Sequence, residues 1–186
     1  MSRLSRTPGK LIVIEGTDGV GRSTHVALLR TWLESIGYAV LDTGMTRSIL
    51  AGRGIKNARS GHTLGRLTMQ LYYATDFADR LENQMLAALR AGFIVLTDRY
   101  IYSAIARAVV RGADPEWVRA MYGIALVPDA VFYLRINVSR RAGGPRTDFR
   151  ARVWIIGNRA WTWGWAMITT TASLPIRNCS SRNSIG

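Results

Sequence analysis

From Gly16 to Ser23 the chain reads Gly-Thr-Asp-Gly-Val-Gly-Arg-Ser, the spacing G-x-x-x-x-G-K-[ST] except that Arg22 stands where lysine is expected. The chemistry open to such a loop is phosphate binding. Glycines allow successive backbone N–H groups to face one anion, and a helix starting at the loop's end adds its positive pole. Gly16, Thr17, Asp18, Gly19, Val20, Gly21, Arg22, Ser23 and Thr24 are the candidate phosphate-binding residues. The Ser23 hydroxyl is a candidate ligand for Mg²⁺. Arg22 is a wide, permanently charged fork instead of a compact ammonium, so it reaches phosphate oxygens with a different geometry, and binding tolerates that exchange better than catalysis does. An ordinary strand-to-helix turn also uses glycines, but it requires no hydroxyl at the eighth position.

The elements around the loop fit this chemistry. Residues 10–15, Lys-Leu-Ile-Val-Ile-Glu, form a short apolar run that reads as a buried parallel strand. Val26, Leu29, Leu33 and Ile36 then recur at helical spacing until Gly37, where a helix end is expected. Tyr38–Leu41 reads as a second strand, and 64–89 carries helical periodicity until Ala91-Gly92. Phe93–Thr97 reads as a third strand leading into Asp98-Arg99-Tyr100. Asp114-Pro115-Glu116 opens a further helix, and Ala130–Ile136 reads as a fourth strand. Strands alternating with helices predict an α/β fold, a parallel sheet covered on both faces, with ligands at the carboxyl ends of the strands.

The length of 186 residues suits one domain. No run of eighteen apolar residues occurs and residues 1–9 are polar and basic, so a soluble, cytoplasmic protein without a membrane partner is expected. The net charge of +13 would ordinarily suggest nucleic acid. Residues 1–138, however, hold 17 Lys+Arg against 11 Asp+Glu, a modest excess for a protein binding polyphosphates, while 139–186 hold 8 against 1. No nucleic-acid partner is inferred. Cys179 is alone, and His25 and His62 have no partners at metal-ligand spacing.

The opening Ile14-Glu15-Gly16-Thr17-Asp18-Gly19, followed by Gly21-Arg22-Ser23-Thr24, resembles that of thymidylate kinases, F/I-E-G-x-D-G-x-G-K-S-T. Three further stretches resemble the family in order. Leu71-Tyr72-Tyr73-Ala74-Thr75-Asp76 is similar to L-x-F-A-x-D-R, Asp98-Arg99-Tyr100 with Ser103 to D-R-Y-x-x-S, and Pro128-Asp129 through Tyr133-Leu134 to P-D-x-x-x-Y-L. The resemblance covers about residues 10–136. It implies a three-layer P-loop NTPase fold, incomplete at the C-terminus, and ATP-dependent phosphorylation of a (deoxy)nucleoside monophosphate, dTMP to dTDP, with Mg²⁺ as cofactor. It also implies a homodimer.

Carried over to this chain, the resemblance makes Arg22, Asp98 and Arg99 catalytic, with Ser23 and Asp98 at the metal. Asp18, Tyr73 and Arg99 face the acceptor: Tyr73 stacks on its base and Arg99 grips its phosphate. These roles suit the groups, since a guanidinium fork matches phosphate, an aromatic face suits a flat base and a carboxylate suits Mg²⁺. Tyr73 could equally be helix core, and Asp98-Arg99 a local ion pair. The chain departs from the family where a base-reading arginine becomes Phe77, where a tyrosine becomes Arg107, and in the loop Asp42–Ser48. A non-catalytic nucleotide-binding protein or damaged gene product, and a deoxynucleoside kinase, are the alternative readings.

Two units are expected, a P-loop kinase core over 1–138 and an atypical tail over 139–186. The tail holds four of the six tryptophans and no lysine. Tryptophan has one codon, TGG, and a read one base earlier can turn 153–165 into the acidic L-D-Y-W-E-S-G-M-D-L-G-L. A tail translated out of frame is the expectation this arithmetic supports.

Overall fold

The computed structural model describes residues 7–61, 63–141 and 144–154, with side chains described through residue 135. Strand β1 (Lys10–Gly16) leads through the glycine loop into helix α1 (Arg22–Ser35). Then follow β2 (Val40–Gly44), α2 (Gly52–Gly61) and α3 (Arg66–Arg80). A π-helical turn (Leu81–Met85) joins α3 to α4 (Leu86–Arg90). The remaining elements are β3 (Ile94–Asp98), α5 (Ile101–Val110), α6 (Pro115–Met121), β4 (Ala130–Arg141) and β5 (Gly144–Trp154).

The strands lie in the order β2-β3-β1-β4-β5. The first four are parallel, as the alternation of strands and helices predicts, and β5 is antiparallel to β4. The sheet extends past the expected fourth strand. β4 runs five residues beyond Ile136 and pairs with β5 from Arg141↔Gly144 to Val131↔Trp154, so residues of the expected tail up to 154 take part in the sheet. Residues 146–153 alternate charged with apolar or small residues, which is the period of a half-exposed antiparallel strand and the signal that reveals β5. Trp161–Trp165, Cys179 and His62 lie outside the described residues.

Strand side chains alternate between faces, and the two faces bury separate cores. Leu11, Val13, Val95 and Val131 pack with Phe77, Leu81, Met85 and Leu89 and with α5 and α6. Ile14, Ile94, Leu96 and Leu134 pack on the other side against Val20, Val26 and Leu33 of α1 and its loop. This is a three-layer arrangement. Truncating a fully buried side chain such as Leu96 to alanine costs about 2–5 kcal/mol by transfer and cavity terms.

The π turn has a packing reason. Phe77, Leu81, Met85 and Leu89 are spaced strictly by four, and such a stripe drifts by about 40° per step on a helix of 3.6 residues per turn. One wider turn removes part of the drift and keeps all four on the sheet.

Parallel register brings the functional ends together. Asp98, the last residue of β3, lies opposite Ile14 of β1 and Gly44 of β2, and Gly16 lies opposite Leu134 of β4. Because β1 has β3 on one side and β4 on the other, the strand order reverses at its carboxyl end, where ligands bind in open α/β sheets. Among the described residues no helix is long and apolar enough to cross a membrane.

Candidate functional site

The phosphate loop is where the pattern expects it, between the central strand and α1. Gly16 has φ 150, and a Cβ there would lie 2.6 Å from the carbonyl oxygen of Leu134. Gly21, at φ 84, precedes the helix without offering a side-chain cap, so the first N–H groups of α1 remain available to an anion.

Arg22 is folded back onto the loop. Its Nε donates to Asp98 Oδ1 at 2.7 Å and one terminal nitrogen donates to the Gly16 carbonyl at 2.7 Å and to the Thr17 carbonyl. The side chains of both Arg22 and Asp98 are largely buried. Ser23 Oγ lies 3.3 Å from the other carboxylate oxygen, Oδ2. A hydroxyl and a carboxylate oxygen side by side form a hard-oxygen pair of the kind Mg²⁺ uses together with substrate phosphates. Among the described residues no group of three or more His, Cys, Asp or Glu could hold an ion unaided.

Next to this pair stands a cluster of charges around Asp18. A terminal nitrogen of Arg99 donates to Asp18 Oδ1, Arg107 donates to Oδ2 at 3.2 Å, and Arg22 approaches to 3.6 Å. Arg99 chiefly holds the Asp18 carboxyl below the usual carboxylate range; burial opposes it, and Arg107 and then Arg22 add to the lowering. Burial lowers the affinity of the Arg99 guanidinium for its proton, and Arg107 and Arg22 beside it act in the same direction.

Arg99 is held at an unusual backbone position, φ 72. Its N–H donates to the Ile14 carbonyl at 3.0 Å, and its carbonyl accepts from Thr97 Oγ1 at 2.7 Å, so the strained residue is tied to β1 and to the end of its own strand, β3. Its other terminal nitrogen donates to Ser103 Oγ at 3.2 Å. Ser103 in turn donates to buried Glu15, which also accepts from the backbone N–H groups of Tyr100 at 2.9 Å and Ser103 at 3.3 Å. Glu15 thus caps α5 and fixes the hydroxyl that orients Arg99.

Tyr73 is not in contact with the phosphate loop. It clusters with Ala51, Ile55, Met45 and Met69, and with Gln70, Arg59, Arg66 and Arg111 it lines a cavity of about 500 Å³. That volume lies within the range of small-molecule sites. Buried Asp76, one turn further along α3, accepts the N–H groups of Thr46 and Ser48 at 3.0 Å each and pairs with Arg80 at 3.0 Å. It holds the loop after β2 against the helix.

The structure thus brings Arg22, Ser23, Asp98, Arg99 and Asp18 into one constellation and places Tyr73 on the cavity lined by Gln70, Arg59, Arg66 and Arg111. Glu15, Ser103 and Asp76 were read as motif letters without tasks, and Arg107 as a departure. A helix assigned over 101–110 would have found Arg107, since Ser103 and Arg107 are one turn apart on one face.

A glycine loop at the switch point, joined by a carboxylate and a guanidinium from the neighbouring strand end, defines a P-loop nucleotide-binding protein. A family profile described as thymidylate kinase matches residues 14–147, and the chain belongs to that family. It is 41% identical over 129 residues to a protein of Saccharolobus solfataricus named probable thymidylate kinase 2, covering 69% of this chain and 60% of that protein's length. It is 42% identical over 144 residues to thymidylate kinase of Akkermansia muciniphila, covering 75% and 68%. The fold is similar to the crystal structure of thymidylate kinase from Ehrlichia chaffeensis, with a TM-score of 0.62 at 24% identity over 67% of this chain and 74% of that one.

Proposed function

We propose that the chain phosphorylates a nucleoside monophosphate, dTMP to dTDP, with ATP as donor. The observation that carries this reading is the meeting, at the switch point, of the phosphate loop and Ser23–Asp98 with a guanidinium cluster. The first three suit a donor triphosphate and the last suits an acceptor phosphate. An oxygen of the acceptor's phosphate attacks the γ-phosphorus of ATP. That O–P bond forms as the bond from the γ-phosphorus to the β–γ bridging oxygen breaks, and ADP leaves with the bridging electron pair.

The protein's part is positional and electrostatic. Backbone N–H groups of Gly16–Ser23 hold the donor's phosphates, Arg99 fixes the acceptor's phosphate, and Arg22 lies beside the path between them. Ser23 and Asp98 would hold Mg²⁺, which when bound neutralises charge on the transferring phosphates. We assign the protein to the cytoplasm and to a homodimer on family resemblance. Coupled ADP release with ATP and Mg²⁺ tests the reaction: release dependent on dTMP supports it, and release that prefers thymidine supports a deoxynucleoside kinase.

One observation favours a second reading. Nε and one terminal nitrogen of Arg22 are engaged by Asp98 and two loop carbonyls, which leaves its other terminal nitrogen for a phosphate, so a chain that binds ATP and turns it over poorly is consistent with this geometry. The composition of residues 139–186 favours the same outcome: read out of frame, that stretch lacks the arginine-bearing lid that the family resemblance implies there. The coding nucleotides for 136–166 decide the frame: stop codons in the preceding-base read through 153–165 would end that explanation.

A further inference from the structure

We propose that Arg107 and Arg99 form a paired guanidinium site for the acceptor's phosphate, a site that the Asp18 carboxylate fills in the free protein. The inference deepens the reading of a monophosphate acceptor and rests on it.

Arg99 and Arg107 take one oxygen each of the same carboxylate, as two forks take one oxyanion. The guanidiniums and the carboxylate differ in how they are held. Arg99 is 8% exposed and anchored on Ser103, whereas the Asp18 side chain is 81% exposed, on a loop whose next residue is Gly19 at φ 77. Asp18 is therefore the partner free to move aside. Arg107 is 31% exposed, open enough to meet a ligand, and its ion pair is with Asp18. Arg22, the third cation, is already matched by Asp98 at 2.7 Å.

Other anions also face this site. Glu15 contributes to the charge balance of Arg99, but its oxygens are engaged by Ser103 and the α5 backbone. A dianionic phosphate entering between Arg99 and Arg107 replaces a single carboxylate charge by two, and Asp18 then turns outward. A neutral hydroxyl offers the pair nothing comparable, so the site selects a phosphorylated acceptor.

The test compares equilibrium binding of dTMP and thymidine to the wild-type chain, Arg107→Gln and Asp18→Asn. Loss of one charge-assisted contact predicts that Arg107→Gln weakens dTMP by about tenfold or more while thymidine changes less than about twofold. Arg107→Lys is expected to recover part of the loss. Asp18→Asn is expected to keep or increase the preference for dTMP, because it removes the competing carboxylate. If Arg107 only anchored Asp18, Arg107→Gln would weaken both ligands alike and Asp18→Asn would reproduce it, which overturns the proposal. A wild-type preference for dTMP that Arg107→Gln leaves intact also overturns it, with the monophosphate reading untouched. A wild type that binds neither, or binds thymidine as well as dTMP, removes the reading on which it rests.

Discussion

At φ 72 the Arg99 backbone occupies a region that residues other than glycine enter at a cost of about 1–3 kcal/mol. The surrounding hydrogen bonds to Ile14 and Thr97 hold it there, and the result is a guanidinium delivered from the end of β3 toward Asp18. Arg99→Ala is expected to raise the KM for the acceptor well above any change for ATP. The loss of a charge-assisted contact is about 2 kcal/mol, or roughly thirtyfold. Steady-state kinetics with each substrate varied in turn checks this, and equal rises for both would contradict the assignment.

Two buried tyrosines give a stability test at the same scale. Tyr100 Oη donates to the Leu126 carbonyl and accepts from its N–H, both at 3.1 Å, while Tyr122 Oη has no hydrogen-bond partner among the described residues. Burial pushes both phenols far above their ordinary pKa. Tyr100→Phe should cost about 1 kcal/mol or more by stranding Leu126, whereas Tyr122→Phe should be neutral or stabilising. Denaturant unfolding of the two variants measures the difference, and an equal cost for both would contradict it.

Elements, above single residues, are tied to the site by buried carboxylates. Asp76 lies in α3 but its acceptors serve the backbone of Thr46 and Ser48, and its charge is matched by Arg80. Removing one member of a buried pair leaves the other uncompensated, so Asp76→Ala should cost about 3–5 kcal/mol. Hydrogen exchange should accelerate at the Thr46 and Ser48 amides before it does in β3. Unchanged protection there would show that the loop is held by other contacts.

Much of this arrangement is legible in the sequence. The β1 run ending at glycine, the spacing of Val26, Leu29 and Leu33, and the Asp114-Pro115 start each use local chemistry, and each appears where it is expected, with Asp114 accepting from the Trp117 N–H at 2.7 Å. What escapes is non-local. The ties from Asp76 to Thr46 and Ser48, from Glu15 to Ser103 and from Asp18 to Arg107 span 28 to 89 residues, and no periodicity encodes them. Helix α5 is hidden for a different reason: it starts directly after the Asp98-Arg99-Tyr100 motif with no side-chain cap from Tyr100 and no acidic residue in its first turn, so no local start signal marks it. For β5 the alternation of residues 146–153 is set in a longer stretch, 139–186, whose tryptophan-rich, acid-poor composition carries no strand pattern of its own.

At the scale of the molecule, four parallel strands and α5 carry the phosphate loop, the Asp98 carboxylate and the Arg99 and Arg107 guanidiniums to one edge, and the antiparallel β5 extends the sheet on the far side of β4 from β1. The charges of the site as described come from residues 15–107. We propose that this edge passes a phosphoryl group between two nucleotides. The most direct measurement follows labelled γ-phosphate of ATP, with Mg²⁺ and dTMP, through the chain as it stands. Label appearing in dTDP, and falling sharply in Arg99→Ala, is the predicted result; label that stays in ATP or emerges only as inorganic phosphate, in protein that demonstrably binds both nucleotides, would contradict it.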